Sequence, residues 1–383
     1  MVRANHHARN QSPFCAGHKQ HRRVLAGGPV FLRLVLVASV LIFLLSAQPA
    51  AAQKLRLSPA PGRPVFGQAP TNNYNMSFGT MNALGLGTPA TGISVTALSN
   101  GAIYYFPYQL TLSGLATGHK AGVTIYVSTN FSHPAALMME NCPATTACNA
   151  ASEYSAMSTS AAAPSIVVAP PGVGNSTITA GLGIFLPDND GASAYTGTDT
   201  ATVTITATDL NTNTVFGIAV IFFNSPNETV QDAVQLTLST AAGGVTISPA
   251  ADFSMSFGNV NGLGIGPAAG LGTVSASGGV IYHTPYLLNP AFTDFTSTTG
   301  TLSVYASATF AHPGVLHLDD SAASGGPYAA ISVTAGAPTQ ITTAAHDRTA
   351  VTRYLGLFVS NVNGATAFTG TDNATLTFTM TVP

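Results

Sequence analysis

The amino-acid sequence predicts an all-β fold made of two tandem, homologous, antiparallel β-sandwiches that follow a signal peptide. Three observations support this prediction. Two related segments, 199–208 and 372–382, alternate apolar residues with threonines. Several motifs recur in the same order, first about 179 and finally 173 residues apart. A basic segment followed by an apolar one precedes residue 53.

Strict alternation is typical of a strand that buries one face and exposes the other. The apolar positions include Val203 and Ile205 in the first segment, and Leu376 and Phe378 in the second. The intervening threonines are β-branched and favour strands. Each segment is therefore predicted to be a half-buried strand.

Collinear motifs indicate that the chain contains a duplication. The recurring motifs are Met-Ser-Phe-Gly at 76–79 and 255–258, Phe-x-His-Pro at 131–134 and 310–313, and Leu-Gly-x-Phe at 182–185 and 355–358. We therefore predict repeat 1 at 53–229 and repeat 2 at 230–383. Each repeat is long enough to bury a core of its own.

Seven short apolar or alternating runs, separated by turn residues, fill repeat 1. They lie near 74–79, 92–98, 102–112, 122–131, 164–169, 176–186 and 199–208. About seven such runs are typical of an immunoglobulin-like sandwich. A further run, 215–223, is wholly apolar and has no counterpart in repeat 2. It predicts an extra or inter-domain strand, or else an open edge in repeat 2 that accepts a partner strand.

Residues 1–52 have the pattern of a secretory signal peptide. Six of the twelve Lys and Arg residues lie there, a largely apolar stretch runs from Leu34 to Leu45, and an alanine-rich segment ends at Ala52. This pattern predicts cleavage after Ala52, with a retained anchor as the alternative. We expect a protein that is secreted, on the cell surface or in the periplasm.

The chain after residue 52 carries six basic and fourteen acidic residues, a formal charge of −8. Because no Lys/Arg cluster remains to neutralise phosphates, a nucleic-acid partner is not expected. No later apolar run reaches the roughly 20 residues of a membrane-spanning helix. Cys142 and Cys148 are the cysteines of this part, and in an exported chain they favour a disulfide across a small loop.

The order of the motifs resembles bacterial exported pilin-like domains of the spore coat U type. The matching pieces are Phe78-Gly79 and Phe257-Gly258, and a final Gly-Thr-Asp-x-Ala-Thr-x-Thr-x-Thr strand in each repeat. The resemblance implies export, an immunoglobulin-like topology and assembly by exchange of a donor strand. The chain differs from that family in lacking its paired cysteines and in carrying Phe-x-His-Pro.

His133 and His312 occupy the same repeat position, before a proline. Each is a candidate ligand or general base, or a strand-end residue whose ring bonds to a nearby loop. We find no other His, Asp or Glu that accompanies them in both copies, which favours the structural role. Asp199 and Asp372 are the acids for which we find recurrence, and the Thr-Gly-Thr-Asp corner predicts that each caps a turn.

Two further groups are candidate binding residues. Asp188 and Asp190, in Asp-Asn-Asp-Gly, form a fragment of a calcium loop, with an Asx-rich turn as the alternative. Aromatic residues on the strands form a candidate sugar-stacking platform, with core packing as the alternative. The recurring tyrosines are Tyr104, Tyr108, Tyr282 and Tyr286.

The chain has no Gly-x-Ser-x-Gly, His-Glu-x-x-His, P-loop or dinucleotide-binding motif. We therefore predict a non-enzymatic exported protein without a cofactor, a structural or adhesive module of the cell surface. The alternatives are a carbohydrate- or calcium-binding extracellular module and a pilin-like subunit that assembles by strand exchange. The expected partner is a protein bound by β-strand addition or a surface glycan.

Overall fold

The computed structural model describes residues 54–62, 67–68, 72–249, 252–363 and 367–383. The predicted signal peptide lies outside these residues. The described chain is almost entirely β, which confirms the all-β prediction. Its helical elements are two 3-10 turns, Ala151–Glu153 and Gly191–Ser193. No helix in the described part is long and apolar enough to cross a membrane.

Repeat 1 forms two sheets. Its described strands are β1 (Lys54–Pro59), β2 (Gly67–Gln68), β3 (Asn73–Asn75), β4 (Thr80–Met81), β5 (Ser94–Leu98), β6 (Gly101–Ser113), β7 (Ala121–Thr129), β8 (Met138–Cys142), β9 (Ser155–Ala156), β10 (Ser165–Val173), β11 (Ser176–Pro187), β12 (Gly197–Asp209) and β13 (Thr214–Val230). The first sheet has the order β1-β6-β11-β8-β9, with β5 also paired to β6. The second has the order β10-β7-β12-β13-β3-β2, with β4 also paired to β13.

Repeat 2 has a similar first sheet but a shorter second one. Its described strands are β14 (Ala233–Thr240), β15 (Ser248–Pro249), β16 (Phe253–Ser254), β17 (Gly272–Ala276), β18 (Gly279–Thr293), β19 (Thr299–Ala308), β20 (Leu316–Ser321), β21 (Ala329–Ala330), β22 (Thr339–His346), β23 (Val351–Ser360) and β24 (Thr375–Thr381). The first sheet has the order β14-β18-β23-β20-β21, with β17 on β18. Among the described strands the second sheet contains only β22-β19-β24, and β15 pairs separately with β16.

The alternating pattern directs apolar side chains into the core of repeat 1. Val203 and Ile205 on β12, and Phe223 on β13, are 0% exposed. The Phe223 ring lies 5.9 Å from Phe78, which lies 5.6 Å from Phe106. Burying a side chain of this size stabilises a fold by about 1.5–3 kcal/mol. The core of repeat 1 therefore depends on β13 as well as on the alternating strand.

The pairing of β13 departs from a wholly antiparallel sandwich. β13 runs antiparallel to β12 but parallel to β3 and β4. It thus lies between the alternating strand and the first strands of the repeat. Only Gln231 and Asp232 separate β13 from β14, the first strand of repeat 2.

Candidate functional site

In repeat 1 the outer edge of β12 is covered by β13. The two strands are paired from Gly197 opposite Val230 to Asp209 opposite Thr214, with two register shifts. The opposite edge of β13 pairs with β3 and β4. The backbone groups on both sides of β13 are therefore used within the sheet.

In repeat 2 the counterpart of β12 is β24, and it lies at an edge. Among the described residues β24 pairs only with β19, from Thr375 opposite Ala308 to Thr381 opposite Thr301. No described strand occupies the position that β13 takes in repeat 1. An edge of this kind presents backbone N–H and C=O groups to a further strand. The open edge that the sequence offered as one alternative is therefore present in the described residues.

The apolar side chains of β24 and of residues 253–258 are incompletely buried. Phe257 is half-buried, whereas its counterpart Phe78 is 0% exposed. Phe253 is 40% exposed, against 1% for Tyr74. Several half-buried side chains of both segments pack on the same small apolar cluster; they are Met255, Phe257, Leu376, Phe378 and Met380. In repeat 1, β13 lies between β12 and β3; we call the corresponding position in repeat 2, between β24 and residues 253–258, the acceptor groove.

Each recurring histidine is bonded to a recurring aspartate. In repeat 1 the Nδ1 of His133 lies 3.0 Å from Oδ2 of Asp199, and its ring stacks on Tyr195 at 3.9 Å. The same carboxylate accepts the backbone N–H groups of Ser132 and His133, each at 2.9 Å, and of Thr200 at 2.8 Å. Burial raises the pKa of Asp199, but these hydrogen bonds outweigh it and the net pKa is lowered.

Repeat 2 has the same arrangement. His312 Nδ1 lies 2.9 Å from Asp372 Oδ2, and the His312 ring stacks on Phe368 at 3.8 Å. Hydrogen bonds from the Ala311 backbone and the His312 ring lower the pKa of Asp372 to about 2. The expectation that no acid accompanies both histidines is therefore wrong. These contacts join two chain segments at a turn, and they support the structural role for His133 and His312.

The four recurring tyrosines are core residues. Tyr104, Tyr108 and Tyr282 are 0% exposed, and Tyr286 is 2% exposed. Their interpretation as a sugar-stacking platform is therefore wrong, because buried ring faces cannot contact a ligand.

Two of these tyrosines anchor an asparagine turn. The Tyr104 hydroxyl accepts the N–H of Asn82 and donates to its carbonyl, both at 3.0 Å. Tyr282 does the same with Asn261, at 3.1 and 2.9 Å. The recurrence of these residues thus reflects a shared turn beside each sandwich.

Cys142 and Cys148 form a disulfide in the structure. They pack with Ile103, Tyr105 and Tyr154 in a small cluster separate from the main core of repeat 1. Repeat 2 has no cysteine. The disulfide is therefore a local feature of one repeat.

Asp188 and Asp190 lie where repeat 1 contacts repeat 2. Arg348 Nε donates to Asp188 at 2.6 Å, and its Nη1 donates to the Leu98 carbonyl at 2.9 Å. Carboxylate oxygens of Asp188, Asp190 and Asp347 lie within 4.8 Å of one another. Calcium prefers such oxygen ligands, but Arg348 already contacts Asp188. Calcium binding therefore stays a prediction.

Burial and mutual repulsion change the acidity of these carboxyl groups. Burial is the first cause, and together with nearby aspartates it raises the pKa of Asp190 to about 6 and that of Asp294 to about 7. The pKa of Asp347 is raised to about 6 for the same reasons. We call Asp188, Asp190, Asp294, Asp347 and Arg348 the inter-repeat cluster.

Two acidic positions escaped the sequence comparison. Glu140 and Asp319 recur 179 residues apart, opposite Gly183 and Gly356 of the adjacent strand. Burial raises the pKa of both carboxyl groups. Asp199 and Asp372 are thus not the only recurring acids. The offset of 179 residues, which Phe131 and Phe310 share, would have revealed Glu140 and Asp319 as a second pair. Glu228 on β13 is a further overlooked acid, and it is 0% exposed.

No protein-family model and no curated protein matches the chain. It is similar to the CupB6 tip adhesin of Pseudomonas aeruginosa, at 10% identity over 87% of this chain and 95% of that chain, with a TM-score of 0.25. A chaperone–tip adhesin complex of CFA/I fimbriae matches at 12% identity over 86% and 91%, with a TM-score of 0.20. The secreted serine protease VesC of Vibrio cholerae matches at 8% over 76% and 50%, with a TM-score of 0.14. At these TM-scores the similarities carry no conclusion about this protein.

Proposed function

We propose that this protein is a non-enzymatic, exported surface protein, structural or adhesive, whose second repeat takes one strand from another protein into the acceptor groove. One observation carries the proposal. β13 completes the second sheet of repeat 1, whereas no described strand occupies the corresponding position beside β24.

Repeat 1 indicates what the incoming strand must be. β13 places Ala219, Ile221 and Phe223 in the core, each 0% exposed. The partner is therefore an extended segment with apolar side chains at alternate positions. It runs antiparallel to β24, as β13 does to β12. Backbone hydrogen bonds along an edge provide affinity, and alternate side chains provide specificity.

The recurring aspartate turns and tyrosine–asparagine contacts fit a protein that binds without catalysis. Asp199 and Asp372 hold turns through three backbone N–H groups each. Tyr104 and Tyr282 hold the asparagine turns. These roles are structural in both repeats.

A peptide with the sequence of residues 214–230 tests the proposal. We expect it to bind the mature chain saturably in fluorescence anisotropy, because β13 fills the corresponding space in repeat 1. Hydrogen exchange should slow at 375–381 and stay unchanged at 197–209.

The matched control is a variant with residues 211–230 appended after Pro383. Its acceptor groove is already filled, so it should not bind the free peptide. Absence of binding to the unmodified chain, or protection confined to repeat 1, would contradict the proposal.

A further inference from the structure

Near its end, β13 makes a polar contact with the Met-Ser-Phe-Gly turn of repeat 1. Glu228 is 0% exposed, and its Oε2 accepts the backbone N–H of Phe78 at 2.8 Å. The Ser77 hydroxyl is 3.5 Å from the same oxygen. Burial raises the pKa of Glu228 to about 8, so the carboxyl group is mostly protonated at neutral pH. A buried carboxyl group is thus a specific part of how β13 fits repeat 1.

The local backbone explains why Phe78 needs this acceptor. In the Met-Ser-Phe-Gly turn, Gly79 has φ +84° and its N–H donates to the Ser77 hydroxyl at 2.9 Å. The Gly79 carbonyl accepts the N–H of Thr229 at 3.2 Å. The turn leaves the Phe78 N–H directed at β13, where Glu228 satisfies it. A buried N–H without an acceptor costs about 1–3 kcal/mol.

Repeat 2 has the same turn without the acceptor. Gly258 has φ +65°, and its N–H donates to the Ser256 hydroxyl at 3.0 Å. Among the described side chains, none accepts the N–H of Phe257. The turn is formed, and within the described part of repeat 2 no carboxyl group takes the place that Glu228 takes in repeat 1.

We propose that the strand accepted by repeat 2 carries a glutamate five residues after its last core-facing aromatic residue, and that this carboxyl group binds the Phe257 N–H. The spacing is that of Phe223 and Glu228 on β13. The inference rests on the proposed function and adds the chemistry by which the partner is recognised. An apolar strand that lacks this acceptor fills the groove but leaves the Phe257 N–H unpaired.

Variants of the 214–230 peptide test this with the mature chain. At pH 5 we expect the Glu228→Ala peptide to bind roughly tenfold more weakly than the parent, which corresponds to about 1.4 kcal/mol. The Glu228→Gln peptide keeps an acceptor and should bind like the parent, and Thr214→Ala serves as a control at the exposed end. The downfield shift that marks a hydrogen-bonded Phe257 N–H should appear with the parent and Gln peptides and not with the Ala peptide.

The pH dependence provides an independent readout. A glutamate that becomes buried and protonated takes up a proton on binding, so affinity for the parent peptide should fall as pH rises from about 4.5 to about 8. The Glu228→Gln peptide should show no such fall. If parent and Glu228→Ala peptides bind equally, this inference fails while the proposed function stands. If no peptide binds, the proposed function fails and the inference with it.

Discussion

At the scale of single residues, one aspartate organises each strand-end turn. Asp199 has a side chain only 3% exposed, and four donors surround it. Its partner His133 is 66 residues away in sequence, and in repeat 2 the separation is 60. Both residues recur visibly in the sequence, but only the tertiary structure brings them into contact. This is why the sequence predicted a capping aspartate and a separate histidine, and not the pair.

Replacing Asp199 should destabilise repeat 1 more than replacing the histidine it binds. Asp199→Ala leaves three backbone N–H groups without acceptors, and we expect a loss of about 1–3 kcal/mol in the free energy of unfolding. His133→Ala removes one hydrogen bond and a ring contact on a half-exposed side chain, so its effect should be smaller. Urea unfolding followed by tyrosine fluorescence measures both, since the chain has no tryptophan.

The pH dependence of the free energy of unfolding provides a second readout for the same test. The pKa of Asp199 is lowered in the folded state, so its contribution is present above the ordinary value of 3.8 and is lost as pH falls through the folded pKa. Acidification should therefore reduce the difference between the parent and Asp199→Ala. An equal cost for His133→Ala and Asp199→Ala would show that the carboxylate is not the organising group.

Glu228 should have the opposite pH dependence. Its pKa is raised from 4.5 to about 8, so the folded state binds more protons than the unfolded state between these values. The free energy of unfolding should fall as pH rises through this window. Glu228→Gln should make that fall shallower and stabilise repeat 1 relative to the parent at pH 8, measured by denaturant titrations at several pH values.

The matched control for Glu228 is Asp232→Asn, an exposed acid four residues further along the chain. This substitution should leave the pH profile unchanged. A Glu228→Gln profile that falls as steeply as the parent profile between pH 4.5 and 8 would rule out a contribution of Glu228 to the dependence.

At the scale of elements, apolar or alternating runs located the long strands of repeat 1. The predicted runs 102–112, 122–131, 176–186 and 199–208 correspond to β6, β7, β11 and β12. β8 was missed because Met-Met-Glu-Asn-Cys has no alternation, and its pairing with β11 defines it. Periodicity shows how a segment is buried, and it does not show which distant segment pairs with it.

The apolar run at 215–223 shows what the sequence could predict about a strand and what it could not. Its composition predicted an extra or inter-domain strand, and its lack of a counterpart offered an open edge in repeat 2 as the alternative. The sequence did not show that β13 continues to Val230, with Glu228 buried near its end. Residues 224–228 show no alternation of apolar and polar residues, so the sequence did not indicate that the Glu228 side chain is buried. The burial of Glu228, on which the inference about the partner strand depends, was therefore evident only from the structure.

At the scale of the whole molecule, polar contacts join the two repeats. The N–H of Asp294 donates to the Asn189 carbonyl at 2.7 Å, and that of Gly191 donates to the Phe295 carbonyl at 2.8 Å. The inter-repeat cluster adds four carboxyl groups and one arginine, Arg348, whose Nε lies 2.6 Å from Asp188 and 3.3 Å from Asp347. Because only two residues separate β13 from β14, these contacts add to a short covalent connection.

The inter-repeat cluster predicts that stability falls as pH rises. The pKa values of Asp190, Asp294 and Asp347 are raised from 3.8 to about 6, 7 and 6. The folded state therefore binds more protons than the unfolded state from about pH 4 to about pH 7, and the free energy of unfolding decreases across that range. Asp294→Asn should stabilise the chain at pH 8 and have little effect near pH 4, in denaturant titrations with EDTA present.

Arg348→Ala should act in the opposite direction to Asp294→Asn. It removes the positive charge that offsets the carboxylates, so its destabilisation should be larger at pH 8 than near pH 4. Asp252→Asn, at an exposed position of repeat 2, is the control for a general change in net charge. If Asp294→Asn and Arg348→Ala each had the same effect at both pH values, ionisation of the cluster would not govern the contact between the repeats.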